Sequence, residues 1–141
     1  MPASTPATRR EFLESSSLAA AASLAALAFP GGAHAAGSDV LKVGLIGCGG
    51  RGSGAASQAL RADPQVKLWA MADAFEDRLQ TSLESLKKID EVAGKLDVPP
   101  ERRFVGFNAY QQVIDCCDVV LLCTPPQFRP LHLAAAVAAG R

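Results

Sequence analysis

The sequence predicts an α/β fold, a parallel sheet of about four strands with helices alternating between them. Three observations carry this. Short, nearly continuous apolar runs recur at strand length, the pattern of strands buried on both faces. Between them lie stretches with apolar residues three or four apart, as on a half-buried helix. The first apolar run ends in glycines, not in a polar turn. Composition agrees: 49% apolar residues with only 6% aromatics make an aliphatic core, unlike a disordered chain.

Residues 1–35 stand outside this pattern. Thr8-Arg9-Arg10-Glu11-Phe12-Leu13 opens with paired arginines, an Ala-rich apolar stretch runs from Leu18 to Phe29, and Ala33-His34-Ala35 is a small-residue cleavage pattern. The stretch is shorter than the ~20 apolar residues a bilayer span needs. The pattern resembles a twin-arginine export signal, which implies a periplasmic destination for an already folded protein. Glu14 departs from it, standing where a basic residue is common. Cleavage would leave a domain at residues 36–141. An uncleaved membrane anchor or a misassigned start is the alternative.

The elements follow in order. Val40 to Ile46 reads as a buried strand, and about Arg51 to Arg61 as a helix stopped by Asp63-Pro64. Val66 to Ala72 is a second strand. A long helix is expected from Phe75 to Ala93, with Leu79, Leu83, Leu86, Ile89 and Ala93 on one face and Gly94 as its stop. Phe104 and Val105 make a brief third strand. Asn108 to Gln111 has the spacing of a capping box, opening a short helix to about Ile114. Asp118 to Cys123 is the fourth strand. Pro130 suits the first turn of a last helix, Leu131 to Ala139, capped by Gly140.

The glycines after the first strand form Gly47-Cys48-Gly49-Gly50-Arg51-Gly52. Gly-x-Gly-x-x-Gly alone is a weak signal, but here it follows a buried strand, opens a helix, and precedes Asp73 by 21 positions at the end of the next strand. Each residue has a physical task in a Rossmann-like dinucleotide site. Gly47 permits the tight turn, Gly49 lets backbone approach a pyrophosphate, and Gly52 lets the helix lie close to the sheet. The helix N-terminus offers free amides and a favourable dipole. Asp73 would accept from ribose hydroxyls and repel a 2′-phosphate, favouring NAD over NADP, while Arg51 could soften that preference. Two alternatives stay open: a turn without a ligand, with Asp73 a helix cap, and an adenosyl-methionine site.

The residues resemble the glucose-fructose oxidoreductase and inositol dehydrogenase family, Gfo/Idh/MocA. The matching pieces are Lys42 to Gly52, Met71-Ala72-Asp73, Asp118 to Pro126, and His132 to Arg141. The resemblance implies NAD-dependent oxidoreduction of sugars or polyols. It places Thr124, Pro125 and Pro126 against the cofactor's ribose and nicotinamide, with His132 nearby. Gln127 to Leu131 is a longer link than several members have, so His132 stands between a cofactor contact and a helix-start residue satisfied by backbone. The family continues with a Glu-Lys-Pro motif and a second domain. No Lys-Pro pair occurs in this chain, so no catalytic residue is assigned. The expectation is an incomplete Rossmann domain with an exposed fourth-strand edge, one that binds NAD but is inactive by itself. An NAD-dependent glycosidase of the same superfamily and a non-enzymatic nucleotide-binding remnant are the alternatives.

Charge and cysteines set further bounds. Lys plus Arg and Asp plus Glu are 14 each, so no basic excess favours nucleic acid. Cys48, Cys116, Cys117 and Cys123 form no Cys-x-x-Cys pair, which argues against a structural metal; buried free thiols are expected, with another pairing open in an oxidising compartment. Substrate and oligomeric state are not legible.

Overall fold

The apolar runs become four strands: β1 (Leu41–Ile46), β2 (Val66–Asp73), β3 (Arg103–Val105) and β4 (Val119–Leu122). The computed structural model describes residues 40–141, so the expected export signal lies outside the described residues. The strands form one parallel sheet in the order β3-β2-β1-β4. Parallel neighbours need crossovers. These are α1 (Gly50–Ala62), then α2 (Glu76–Lys87) with the short α3 (Asp90–Ala93), then α4 (Ala109–Cys116); α5 (Arg129–Ala138) follows β4. The fold is a Rossmann-like α/β arrangement, as the alternation predicts.

The chain steps outward from β1 to β3, then returns to lay β4 on the far side of β1. Because such crossovers are right-handed, reversing direction moves the helices to the other face. Two cores result. Val43, Leu45, Leu68 and Met71 meet Leu60 of α1 and Leu79, Leu83 and Leu86 of α2 on one face. Ile46, Ala70 and Ala72 meet Tyr110, Val113 and Ile114 of α4 on the other. The second face is built from small residues so that α4 can lie close: a Cβ on Gly44 would overlap Val113 and come within 2.8 Å of the Cys117 sulfur. β4 is an edge strand, and its Val119 is exposed.

Three local expectations need correction. The helix expected from Phe75 to Ala93 is broken at Lys88-Ile89, where Ile89 takes extended backbone angles (φ −98°, ψ 102°). The break lets Val92, not Ala93, enter the core and turns the chain back to the sheet. There Leu68 donates to the Lys95 carbonyl (3.0 Å) and Asp97 to that of Leu68 (2.9 Å). Lys95 Nζ then reaches the Leu60 and Asp63 carbonyls (2.5 and 2.7 Å), placing a cation on the C-terminus of α1. These tertiary bonds outweigh the helical periodicity.

The capping box at Asn108 does not form: its backbone angles are φ −96°, ψ 0°, and its side chain makes no cap bond. Gly106, at φ +118°, turns the chain so that its carbonyl accepts from Ala109, and the Asn108 carbonyl accepts from Gln111. A backbone turn replaces the side-chain cap. α4 also runs on to Cys116, two residues past the expected Ile114. At the ends of β4, Asp118 and Cys123 still donate to the Lys42 and Ile46 carbonyls (2.8 Å each), so only the boundary label differs.

Candidate functional site

In a parallel sheet every strand points its C-terminal end the same way, so the loops after β1 to β4 converge on one edge. Where strand order reverses, between β1 and β4, two loops part and leave a crevice. A cavity of about 500 Å³ opens there. It is walled by Gly47, Gly49, Gly50 and Arg51 after β1, by Asp73 to Phe75 after β2, by Gly106 and Phe107 after β3, and by Cys123, Thr124 and Pro125 after β4.

The glycine turn shows which glycines the protein needs for itself. Gly47 has φ +97°, and its face abuts the Cys123 carbonyl and the Thr124 nitrogen within 2.8–2.9 Å of where a Cβ would stand. A Cβ on Gly52 would overlap the Gly47 carbonyl oxygen, so α1 can approach β1 only with glycine there. Gly49 and Gly50 are different: nothing lies within 4 Å of a Cβ on either. Their bare faces are not used by the fold. Beside them stand the first amides of α1, which have no carbonyl one turn back to accept them.

Asp73 ties the turn to β2. Its Oδ2 accepts from the Cys48 N–H at 2.6 Å and its Oδ1 from the Phe75 N–H at 3.0 Å. Cys48 points inward, its Sγ donating to the Ala72 carbonyl at 3.4 Å. Burial, with Asp73 and Cys123 nearby, pushes its thiol up to about 12. That side chain is structural filling, not a nucleophile. Cys123 is also raised by burial, against the opposing pull of Arg51 and Arg129.

His132 is 5% exposed. Its Nδ1 lies 3.2 Å from the Thr124 hydroxyl, and its ring stacks on Tyr110 with centroids 4.2 Å apart. His132 lines the cavity wall, and its partner is the Thr124 side-chain hydroxyl, not the backbone expected for a helix-start residue. Burial lowers its pKa, which favours the neutral ring. Arg129 Nε donates to the Thr124 carbonyl at 3.0 Å and steadies the same turn.

The structure brings Gly47, Gly49, Gly50, Arg51, Asp73, Thr124, Pro125 and His132 to one cavity. Cys48 and Gly52 sit behind the turn, buried, and Pro126 is exposed away from the wall. The sequence reading missed Phe75, Arg78, Phe107, Tyr110, Phe128 and Arg129 on the wall. The loop positions among them were findable, because residues just past each parallel strand share an edge. Arg78, Tyr110 and Arg129 project from helices and needed the packing. The charged wall residues are three arginines and one aspartate, a setting for an anion.

No family model and no curated protein matches the chain. Among solved structures, it is similar to a mutant of KijD10, a 3-ketoreductase from Actinomadura kijaniata, in complex with TDP-benzene and NADP. The identity is 25% and the TM-score 0.51, over 72% of this chain and 28% of that one. A second KijD10 structure with NADP aligns at 23% identity and TM-score 0.34, over 72% of this chain and 36% of that one. The chain thus spans about a third or less of the length of these structures.

Proposed function

We propose that residues 40–141 bind a nicotinamide dinucleotide and form the cofactor-binding unit of a Gfo/Idh/MocA-type oxidoreductase acting on sugars or polyols. One observation carries this. Gly49 and Gly50 turn bare faces and a helix N-terminus into a cavity at the reversal of strand order. Gly47 and Gly52 are explained by packing within the protein. Packing does not explain Gly49 and Gly50, and both line the cavity, which leaves their backbone open to a ligand. The donor set fits a pyrophosphate: free amides, a helix dipole, and Arg51 and Arg129. The ketoreductase of similar fold holds NADP, which supports the same ligand class here.

A bound nicotinamide would supply the hydride chemistry. The residues of this chain bind and orient. The α1 amides would hold the pyrophosphate. Asp73 fixes the turn, and its remaining lone pairs would accept from the adenosine ribose hydroxyls. Thr124 and Pro125 would flank the nicotinamide side, with His132 and Tyr110 backing Thr124. No acid/base role is assigned to any of them. Asp73 favours an unphosphorylated ribose, and the neighbouring arginines pull the other way. The Arg9-Arg10 segment, on this reading, directs export of the folded protein. Retention of an R9K/R10K variant in the cytoplasm would support that.

Fluorescence titration of the purified full chain with NADH and NADPH tests the central reading. Saturable enhancement, competed by adenosine 5′-diphosphate and not by adenosyl-methionine, is the expected result. Absence of saturable binding, or binding of adenosyl-methionine instead, would overturn it and leave a site without this ligand.

A further inference from the structure

The cysteines divide between the two faces of the sheet. Cys48 and Cys123 pack into the first core, and Cys116 and Cys117 into the second. All four are free thiols. Cys116 ends α4, and Cys117 follows it in extended backbone (φ −118°, ψ 155°). Their sulfurs lie 3.9 Å apart.

The two thiols differ in access. Cys117 is 1% exposed, and a Cβ on Gly44 of β1 would stand 2.8 Å from its sulfur. Cys116 is half-buried, and its Sγ donates to the Val113 carbonyl at 3.6 Å. An outer thiol within reach of a reagent thus stands against an inner one shielded from solvent. That is the arrangement of an attacking and a resolving cysteine. A resolving thiol needs reach to its neighbour's sulfur, not to solvent.

A disulfide holds its sulfurs about 2 Å apart, so bridging this pair must close roughly 2 Å. The chain on the far side of Cys117 is pinned. The Lys42 N–H donates to Asp118 Oδ2 at 2.9 Å, and the Asp118 N–H donates to the Lys42 carbonyl at 2.8 Å. Bridging therefore strains the end of α4 against β1. A ring across one peptide bond encloses no long loop whose lost entropy would offset that strain. Strained disulfides are the readily reduced ones, which suits a modification that reverses.

We propose that Cys116 and Cys117 are a reversible oxidation site, in which a low-molecular-weight disulfide converts the pair to a bond between neighbouring residues and loosens α4 against β1. Cys116 gives up its proton, attacks the reagent disulfide, keeps one half and releases the other as a thiol. Cys117 gives up its proton, attacks the Cys116 sulfur and expels the second half as a thiol. One S–S bond breaks and one forms, two electrons pass to the reagent, and both protons end on the released thiols. The site lies outside the cavity and does not depend on the dinucleotide reading.

The test incubates the full chain with glutathione disulfide, alkylates the remaining thiols in urea, and cuts before Asp115 and Asp118. This releases Asp115-Cys116-Cys117 as a tripeptide for mass spectrometry. It should appear two hydrogens lighter than the dithiol, and dithiothreitol applied before alkylation should reverse this. Trp69 is the sole tryptophan and packs against the same core as the pair, so its fluorescence should change on the same time course. The Tm of the oxidised chain should fall by about 5 °C. Cys116→Ser, at a half-buried position, should melt with the reduced wild type and show neither response. Cys117→Ser should keep glutathione on Cys116, with nothing to expel it. A wild-type tripeptide that stays a dithiol, or that carries glutathione without closing, would sink the site. Closure that leaves both Trp69 emission and melting unchanged would sink the loosening of α4.

Discussion

Replacing Gly52 and Gly49 one at a time with alanine separates what the turn does for the fold from what it does for a ligand. At Gly52 the added methyl would overlap the Gly47 carbonyl oxygen and lie 3.0 Å from its carbon. The obstacle is backbone and cannot swing aside, so the overpacking cost belongs near the upper end of about 1–3 kcal/mol. Alanine within a helix returns about 1 kcal/mol against glycine. The net loss is about 2 kcal/mol, which for a domain of this size lowers Tm by roughly 10 °C. At Gly49 the methyl meets nothing within 4 Å, so the stability change stays within about 1 kcal/mol, the difference between glycine and alanine at a helix N-cap. Dinucleotide affinity should fall by more than about tenfold there, because the methyl stands where the pyrophosphate must approach. Thermal melting and NADPH fluorescence, run on both variants, read the two effects. A Gly52→Ala protein that melts with the wild type would refute the close-packing argument. A Gly49→Ala protein that binds normally would refute the ligand argument.

Other outcomes follow from the same contacts. Asp73→Asn can keep one of its two backbone N–H bonds but turns an amide N–H₂ toward the other donor, so it should cost about 1–3 kcal/mol in urea unfolding and weaken cofactor binding with it. His132 has its pKa lowered by burial from the usual 6.5, so the unfolded chain binds its proton first. Its share of stability is full above pH 6.5 and is lost as pH falls below that value; a melting series should decline on the acid side, and His132→Gln should flatten that decline. Cys48 and Cys117 are buried with raised thiol pKa values, so iodoacetamide at pH 8 should spare both in the native protein and modify them in urea, as mass spectrometry of the peptides would show.

Much of the fold was legible because its signals are local. A buried parallel strand writes itself as an apolar run, and each of the four runs became a strand in the expected order. The strand-to-helix turn needs glycine wherever backbone meets backbone, so Gly47 and Gly52 were readable from their spacing together with the flanking strand and helix. What depends on distant partners was not. Periodicity carried the second helix through Lys88-Ile89, but bonds from the Leu68 backbone to Lys95 and Asp97 required the chain to turn back there. Asn108 has the residue type of a cap, yet Gly106 supplied the turn. The site divides in the same way. Asp73 could be named from sequence, but that its carboxylate is held by the Cys48 and Phe75 amides could not. Nor could the position of Arg78 on the cavity wall, or the bond from Thr124 to His132 across the longer link. The sequence by itself determined the alternation of strands and helices and the place of the glycine turn, because those follow from the periods of the backbone. Only the tertiary structure decided which charges share the cavity and which are already engaged, because these depend on side chains from separate elements converging at the one edge where all four strands end.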